Sequence, residues 1–246
     1  MNRFLFGAVS ALFLMLIAMM PARSMPTEVP QDIIFVLDSS GSLGQSGYAQ
    51  QKDFMVDVVQ QFGGDPLHPT RFGVVEFSNG AYERYNFFQD QSVAAVTTAI
   101  NNLILLNSVT HTRTAIDVAI DMFIRDTINI SVSYPHPMTM VLITDGVPYP
   151  STYNPCNAPS KKTELDANGI QLQIVGSGNF DPAQASQLSC LVDDPTTQIS
   201  GISDFTDFDL FQQGYIVNST AMPAPGMLAI FAFGIVGIAA ARRRAC

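Results

Sequence analysis

The residues best suited to chemistry stand in two short segments. The first, Asp38-Ser39-Ser40-Gly41-Ser42, follows directly on the apolar run Ile33-Ile34-Phe35-Val36-Leu37. A carboxylate and two hydroxyls at alternate positions, on a turn loosened by Gly41 and Gly44, can aim three oxygens at one point. The second, Thr144-Asp145-Gly146, follows the apolar run Met138 to Ile143 and brings a second carboxylate. Hard oxygen ligands in near-octahedral number suit Mg²⁺ or Mn²⁺, with waters filling the positions the protein leaves open. Taken alone, the first segment also describes a polar loop with a helix cap and the second an ordinary turn. Their specificity lies in the pair, each placed at the end of a buried run.

The elements that must position these oxygens can be read from periodicity. Ile33 to Leu37 is continuous and apolar, as a parallel strand covered on both faces requires. Tyr48, Met55, Val58, Val59 and Phe62 then recur at helical spacing, and Gly63-Gly64 with Pro66 ends that helix. Arg71 to Phe77 and Tyr82 to Phe87 read as strands around the turn signal Ser78-Asn79-Gly80. A helix is expected over Ser92 to Asn101, and another from near Thr114, where Asp117 stands three residues on and Ile116, Ala119, Ile120 and Phe123 form one apolar stripe. Met138 to Ile143 and Ile170 to Val175 are further strands, the latter less buried because of Gln171 and Gln173. Short helices are expected over Pro182 to Leu191 and Asp207 to Gln213. Strands alternating with helices imply an α/β fold: a doubly wound, mostly parallel sheet with one antiparallel edge strand and helices on both faces. In such a sheet the ligand site lies outside the carboxyl ends of the strands, where strand order reverses. If the strands ending at Asp38 and Thr144 are neighbours, Asp145 comes up beside Asp38.

At these residues the sequence resembles the von Willebrand factor A domain, over nearly all of residues 31–217. The metal-ion-dependent adhesion site of that family begins Asp-x-Ser-x-Ser after the first strand, matched by Asp38, Ser40 and Ser42, and ends in an Asp after the fourth, matched by Asp145. Its middle motif, usually Gly-Thr-x-Thr-Gly-x-Ala-Leu, is matched by Val109-Thr110-His111-Thr112-Arg113-Thr114-Ala115-Ile116. Val109 and Arg113 replace both glycines, and Thr110 takes the ligand position ahead of Thr112. The resemblance implies that Ser40 and Ser42 bind the ion through their hydroxyls and Thr110 directly in the ligand-bound state. Asp38 and Asp145 act largely through bridging waters, and one coordination position is left for an acidic group of a protein or polysaccharide ligand. That is a binding or adhesion module rather than an enzyme. Two other classes stay open: a scaffold subunit of a surface assembly, and a metal-dependent hydrolase, which lacks a general base other than the ligand carboxylates.

The remaining sequence bears on where such a module works. The 246 residues are 47% hydrophobic and 13% charged, with 21 acids, 12 bases, no Trp and three Cys; mean hydropathy is +0.21. This excludes a disordered chain, and a net charge of −9 argues against nucleic acid as a partner. Residues 1–24 carry Arg3, an apolar run from Phe4 to Met20, Pro21 and Ala22-Arg23-Ser24, the pattern of a secretory signal peptide cut after Ser24, with an uncleaved anchor as the alternative. Met227 to Ala241 is apolar or Gly throughout and precedes Arg242-Arg243-Arg244, as expected of a membrane helix whose tail stays on the cytoplasmic side. With the linker 218–226 containing Met222-Pro223-Ala224-Pro225-Gly226, this end resembles the PEP-CTERM sorting signals of Gram-negative bacteria. The resemblance implies an exosortase-like processing enzyme and an exported protein of the envelope, cell surface or matrix; Pro-Ala-Pro departs from the usual Pro-Glu-Pro, and a plain anchor is the alternative. The two ends hold five of the 12 bases and none of the acids, so the domain between them carries seven bases against 21 acids, a charge of −14. In an oxidising compartment Cys156 and Cys190 form a pair that can bridge a loop of roughly 34 residues, contributing about 3 kcal/mol, or else remain buried thiols.

Other candidates carry less. His68, His111 and His136 are scattered, and His111 is expected to be a solvated loop residue near the site. Gly176-Ser177-Gly178 lacks the rest of a dinucleotide fingerprint and ends a strand instead. Asn129-Ile130-Ser131 and Asn218-Ser219-Thr220 are formal glycosylation sequons. Tyr149, Pro150 and Tyr153 follow Asp145 in a Pro-rich loop, where they either contact a ligand or simply pack.

Overall fold

A computed structural model describes residues 31–64, 69–129, 136–146, 148–178, 180 and 187–202. In chain order these are β1 (Asp32–Asp38), a 3₁₀ turn (Gly41–Leu43), α1 (Gly44–Phe62), β2 (Arg71–Phe77), β3 (Ala81–Tyr85), α2 (Val93–Asn101), α3 (Thr112–Asn129), β4 (Met138–Thr144), a 3₁₀ turn (Ser151–Tyr153), α4 (Lys161–Ala167), β5 (Ile170–Gly176), a 3₁₀ turn (Ser189–Leu191), α5 (Pro195–Gln198) and β6 (Ile199–Gly201). The six strands form one sheet in the order β3-β2-β1-β4-β5-β6. All neighbours are parallel except β2 and β3, so the antiparallel strand is an edge strand, as expected from the turn after Phe77.

β1 sits at the centre because it can be buried on both faces. Its alternating side chains feed two cores. Ile34 and Val36 join Val75, Phe77, Met140, Leu142 and Ile174 beneath α3, while Ile33, Phe35 and Leu37 join Phe72, Val74, Val141 and Ile143 beneath α1 and α2. Ile33 to Leu37 are all fully buried, each contributing about 1.5–3 kcal/mol over an exposed position. The helices supply matching stripes: Met55, Val58 and Val59 from α1, Ile116, Ala119 and Phe123 from α3. From β1 the chain moves to β2 on one side, and from β4 to β5 on the other. Strand order therefore reverses between β1 and β4, and the crevice lies above Asp38 and Thr144.

The structure also corrects local expectations. α3 begins at Thr112, two residues before the expected start, and β3 spans Ala81–Tyr85 rather than Tyr82 to Phe87. The second difference arises because Asn86, Phe87 and Gln89 turn away in a loop held by the Gln89 side chain, whose carbonyl accepts from the Asn86 amide at 2.8 Å. α4, α5 and β6 were not anticipated: α4 is a seven-residue helix capped by the Ser160 hydroxyl, too short for a clear apolar period. The end of the expected helix over Pro182 to Leu191 is a 3₁₀ turn at Ser189–Leu191. Its residues 182–186, the expected helix over Asp207 to Gln213, the signal peptide, the C-terminal helix and Pro223, Pro225, Gly226, Arg242, Arg243 and Arg244 lie outside the described residues. Among the described residues, no helix is long and apolar enough to cross a membrane.

Candidate metal centre

Asp38 is the last residue of β1 and is fully buried. The backbone N–H of Ser40 donates to its Oδ1 at 2.9 Å and the Thr144 hydroxyl to its Oδ2 at 2.6 Å. Ser40 Oγ lies 3.1 Å from Ser42 Oγ, and the Ser42 hydroxyl donates to Asp145 Oδ1 at 3.1 Å. Asp38, Ser40, Ser42 and Asp145 thus form one connected set of oxygens at the switch point, from the sheet interior at Asp38 to the exposed Ser42.

The turn that carries them is fastened from both sides. The Ser39 amide donates to the Phe77 carbonyl at 2.7 Å, that of Asn107 to the Ser39 carbonyl at 3.0 Å, that of Leu106 to Ser39 Oγ at 2.7 Å, and that of Gly41 to the Ser108 carbonyl at 2.9 Å. Gly41 suits this close approach: a Cβ there would lie 3.0 Å from Asn107 Oδ1 and would push that side chain aside. Asn107 itself takes a left-handed backbone with φ 58°, which Asn tolerates better than most side chains. Thr110 belongs to the same stretch. It is buried, and its backbone exchanges two hydrogen bonds with Tyr149, at 2.9 and 3.0 Å. Thr112 starts α3 fully buried, and its hydroxyl has no hydrogen-bond partner among the described residues. The structure therefore joins four of the five expected ligands, Asp38, Ser40, Ser42 and Asp145, by hydrogen bonds, while Thr110 is paired through its backbone with Tyr149 and makes no hydrogen bond to the other four.

The electrostatics follow from burial. Removal from water is the largest influence on Asp38 and pushes its carboxyl up to about 6; the Thr144 and Ser40 hydrogen bonds oppose this, and the Asp145 charge adds to it. Burial likewise raises Asp145, against the hydrogen bond from Ser42. Among the described residues neither carboxylate is paired with Lys, Arg or His, and no cluster of three or more His, Cys, Asp or Glu could chelate an ion by charge alone. Two carboxylates, serine hydroxyls and an open side toward solvent fit a hard divalent cation that keeps some of its waters. They do not fit a thiolate or imidazole site.

Two contributors were not anticipated. The sequence presents Thr144 as a turn residue, yet it is the donor to the buried Oδ2 of Asp38. The signal was the strand register, since Leu37 pairs with Ile143 and the next residues along are Asp38 and Thr144. Arg113, at the place of a family glycine, donates to the carbonyls of Asn157 at 3.1 Å and Pro159 at 2.9 Å. His111 is not a free solvated residue, because its ring stacks on Tyr153 with centroids 3.5 Å apart. His136 joins Asp32 at the opposite end of β1, His68 lies outside the described residues, and Gly176 does end β5. Cys156 and Cys190 are bridged, with Cα atoms 5.8 Å apart.

Comparison with known proteins extends this geometry. The family model of the von Willebrand factor type A domain matches residues 32–213. The chain is 32% identical to the mouse collagen alpha-4(VI) chain over 115 residues, which cover 47% of this chain and 5% of the collagen. It is 26% identical to human matrilin-1 over 161 residues, 65% of this chain and 31% of the matrilin. It thus spans less than a third of either relative. Among solved structures, proximal thread matrix protein 1 of the mussel byssus superposes with a TM-score of 0.58 at 20% identity, over 77% of this chain and 47% of that one. A form of the same protein with a zinc-occupied MIDAS motif superposes with a TM-score of 0.57 at 19% identity. At such identities the likeness establishes the fold, while the family match covers most of the chain. The chain belongs to the von Willebrand factor type A domain family.

Proposed function

We propose that this is a non-enzymatic, matrix- or envelope-associated binding module that captures an acidic group of a partner through a divalent ion, Mg²⁺ or Mn²⁺. Ser40, Ser42 and Thr110 would offer the ion their hydroxyls, and Asp38 and Asp145 would supply the negative charge that holds it. When bound, the ion supplies an electrophilic position that an external carboxylate can occupy. The chain's own residues set the charge and the access: two carboxylates offset the ion's charge without exceeding it, and the open side at Ser42 leaves room for the partner. The observation that carries this reading is the pair of buried, cation-free carboxylates bridged by Ser40 and Ser42. Collagen and matrilin relatives, and the thread matrix protein with its zinc-occupied motif, support it by kinship.

Titration of Mn²⁺ into the purified protein, followed by water-proton relaxation, is expected to show one saturable site that Asp38→Ala and Asp145→Ala each weaken by about 10–100-fold, as loss of a carboxylate that orients the ion's waters does. Wild-type protein with no saturable site would end the proposal. Export, removal of residues 1–24 and C-terminal sorting belong to the same reading. Mass spectrometry of the mature protein is expected to find neither Met1–Ser24 nor Arg242–Arg244, and an intact Arg-rich end would leave a plain anchor.

A further inference from the structure

Tyr149 is 66% exposed, among the most exposed large apolar side chains of the described residues. Its backbone, however, is fixed. It exchanges both hydrogen bonds with Thr110, one of the proposed ligands, and so is tied to the metal centre itself. The loop that continues from it is held on the same side at three further points. Tyr153 stacks on His111, the Arg113 guanidinium grips the carbonyls of Asn157 and Pro159, and Cys156 is bridged to Cys190. Each anchor on α3 or its lead-in lies within three residues of Thr110. A mobile loop can hide an apolar ring by folding over it, but this backbone is fastened and holds the ring in water beside an ion site.

An exposed ring on an immobilised backbone is what a binding hot spot requires. The Tyr side chain has few torsions to freeze, the ordering cost of the loop is met before the partner arrives, and the apolar face gains free energy only when a partner covers it. Charge narrows the partner. With −14 on the domain, a polyanionic chain is repelled at every repeat, whereas a protein surface carrying one carboxylate among apolar groups is not.

We infer that Tyr149 is a second contact point of the metal face, and that the ligand is a protein presenting a carboxylate beside an aromatic or aliphatic side chain. The inference rests on the metal-centre reading and goes beyond it by naming the ligand's second group and the residue that reads it. Arg113 fastens the loop beyond Tyr149 through the carbonyls of Asn157 and Pro159 and is assigned no ligand contact of its own.

The test uses the Mn²⁺-loaded full chain and three small carboxylates: acetate, 3-phenylpropionate and galacturonate. Displacement of ion-bound water, read by proton relaxation, gives each affinity. Wild type is expected to bind 3-phenylpropionate about tenfold more tightly than acetate, the ratio expected when a ring is partly covered. Tyr149→Ala should bring that ratio near one while Mn²⁺ affinity stays within about twofold, and Tyr149→Phe should keep it. Arg113→Ala should lower it and also shift the His111 ring proton resonances of the metal-free protein, reporting the lost stack. Equal binding of acetate and 3-phenylpropionate, or a preference that survives Tyr149→Ala, overturns the inference while leaving the metal centre standing. Galacturonate binding best in a Tyr149-dependent manner overturns it in favour of a polysaccharide. Absence of Mn²⁺ binding in wild type removes the metal-centre reading and this inference with it.

Discussion

β1 begins and ends in a buried aspartate, and the two ends are built for opposite purposes. At the amino end Asp32 is 1% exposed and fully answered: the Arg71 guanidinium donates to both of its oxygens, and His136 Nδ1 lies 3.1 Å from Oδ1. At the carboxyl end Asp38 is equally buried but meets only neutral donors, Ser40 and Thr144, and the charge beside it is another carboxylate, Asp145. The residue type, the strand and the burial are the same. The difference is whether the protein supplies the counter-charge. Where it does, the aspartate is part of the scaffold. Where it does not, the fold bears the cost of an unanswered buried carboxylate, a cost that the proposed ion would relieve.

The strongest way to break this contrast is to remove the counter-charge at the scaffold end. Arg71→Ala leaves Asp32 buried and only His136 beside it. Urea unfolding at pH 7 is expected to show a loss of about 3–5 kcal/mol, as for other broken buried pairs, with Mn²⁺ affinity unchanged in the folded fraction. A loss below about 1 kcal/mol would mean that water reaches Asp32 and the two ends are less different than their burial indicates.

The carboxyl end predicts the opposite sign. The Asp38 carboxyl titrates at about 6 in the fold, above its ordinary 3.8, so the folded protein holds the proton more tightly than the unfolded chain. Its protonated form stabilises fully below about 3.8, and that contribution is lost as pH rises through about 6, an effect on the order of 3 kcal/mol. Metal-free wild type should therefore lose stability between pH 4 and pH 7 relative to Asp38→Asn, which has no charge to bury. At pH 7 the variant is expected to be the more stable of the two without metal and to gain nothing from Mn²⁺. Parallel pH profiles for the two proteins would show that Asp38 is relieved by a partner within the chain.

The same contrast explains what was legible before the fold was known. Asp38, Ser40, Ser42 and Asp145 were readable because each sits at a fixed distance from an apolar run, and a parallel strand buried on both faces announces where it ends. Pairing, by contrast, is not written locally. Nothing around His136 points to Asp32, 104 residues away, and Thr144 acquires its role only when β1 and β4 become neighbours in register. Thr110 stands between these cases. Its motif was recognisable without its glycines, but what stands in their place, an arginine holding a disulfide-closed loop, depends on contacts more than 40 residues apart in sequence. α4, α5 and β6 were missed for a simpler reason: helices of seven and four residues complete two turns at most, too few to show a 3.6-residue period, and β6 has only three residues.

The subtlest test leaves every proposed ligand in place. Thr144 is fully buried, donates to Asp38 Oδ2 at 2.6 Å and accepts from the Gly146 amide at 3.2 Å, the residue after Asp145. Thr144→Val keeps the shape and deletes both bonds. A hydrogen bond to a charged group contributes about 1.5–3 kcal/mol, but part of that loss falls on the metal-free and metal-loaded states alike. The net expectation is a modest one: Mn²⁺ binding weakened by about three- to tenfold, and the metal-free protein destabilised more at pH 7, where Asp38 is charged, than at pH 4, where it is not. The comparison that gives this meaning is its counterpart at the amino end, where His136→Gln removes one partner of Asp32 and should leave Mn²⁺ binding untouched. If both substitutions weaken the ion equally, the effect travels through β1 as a whole. If only Thr144→Val does, the carboxyl end of the strand is tuned locally, and the hydroxyl beside Asp38 is part of how the centre holds its charge in readiness for a cation.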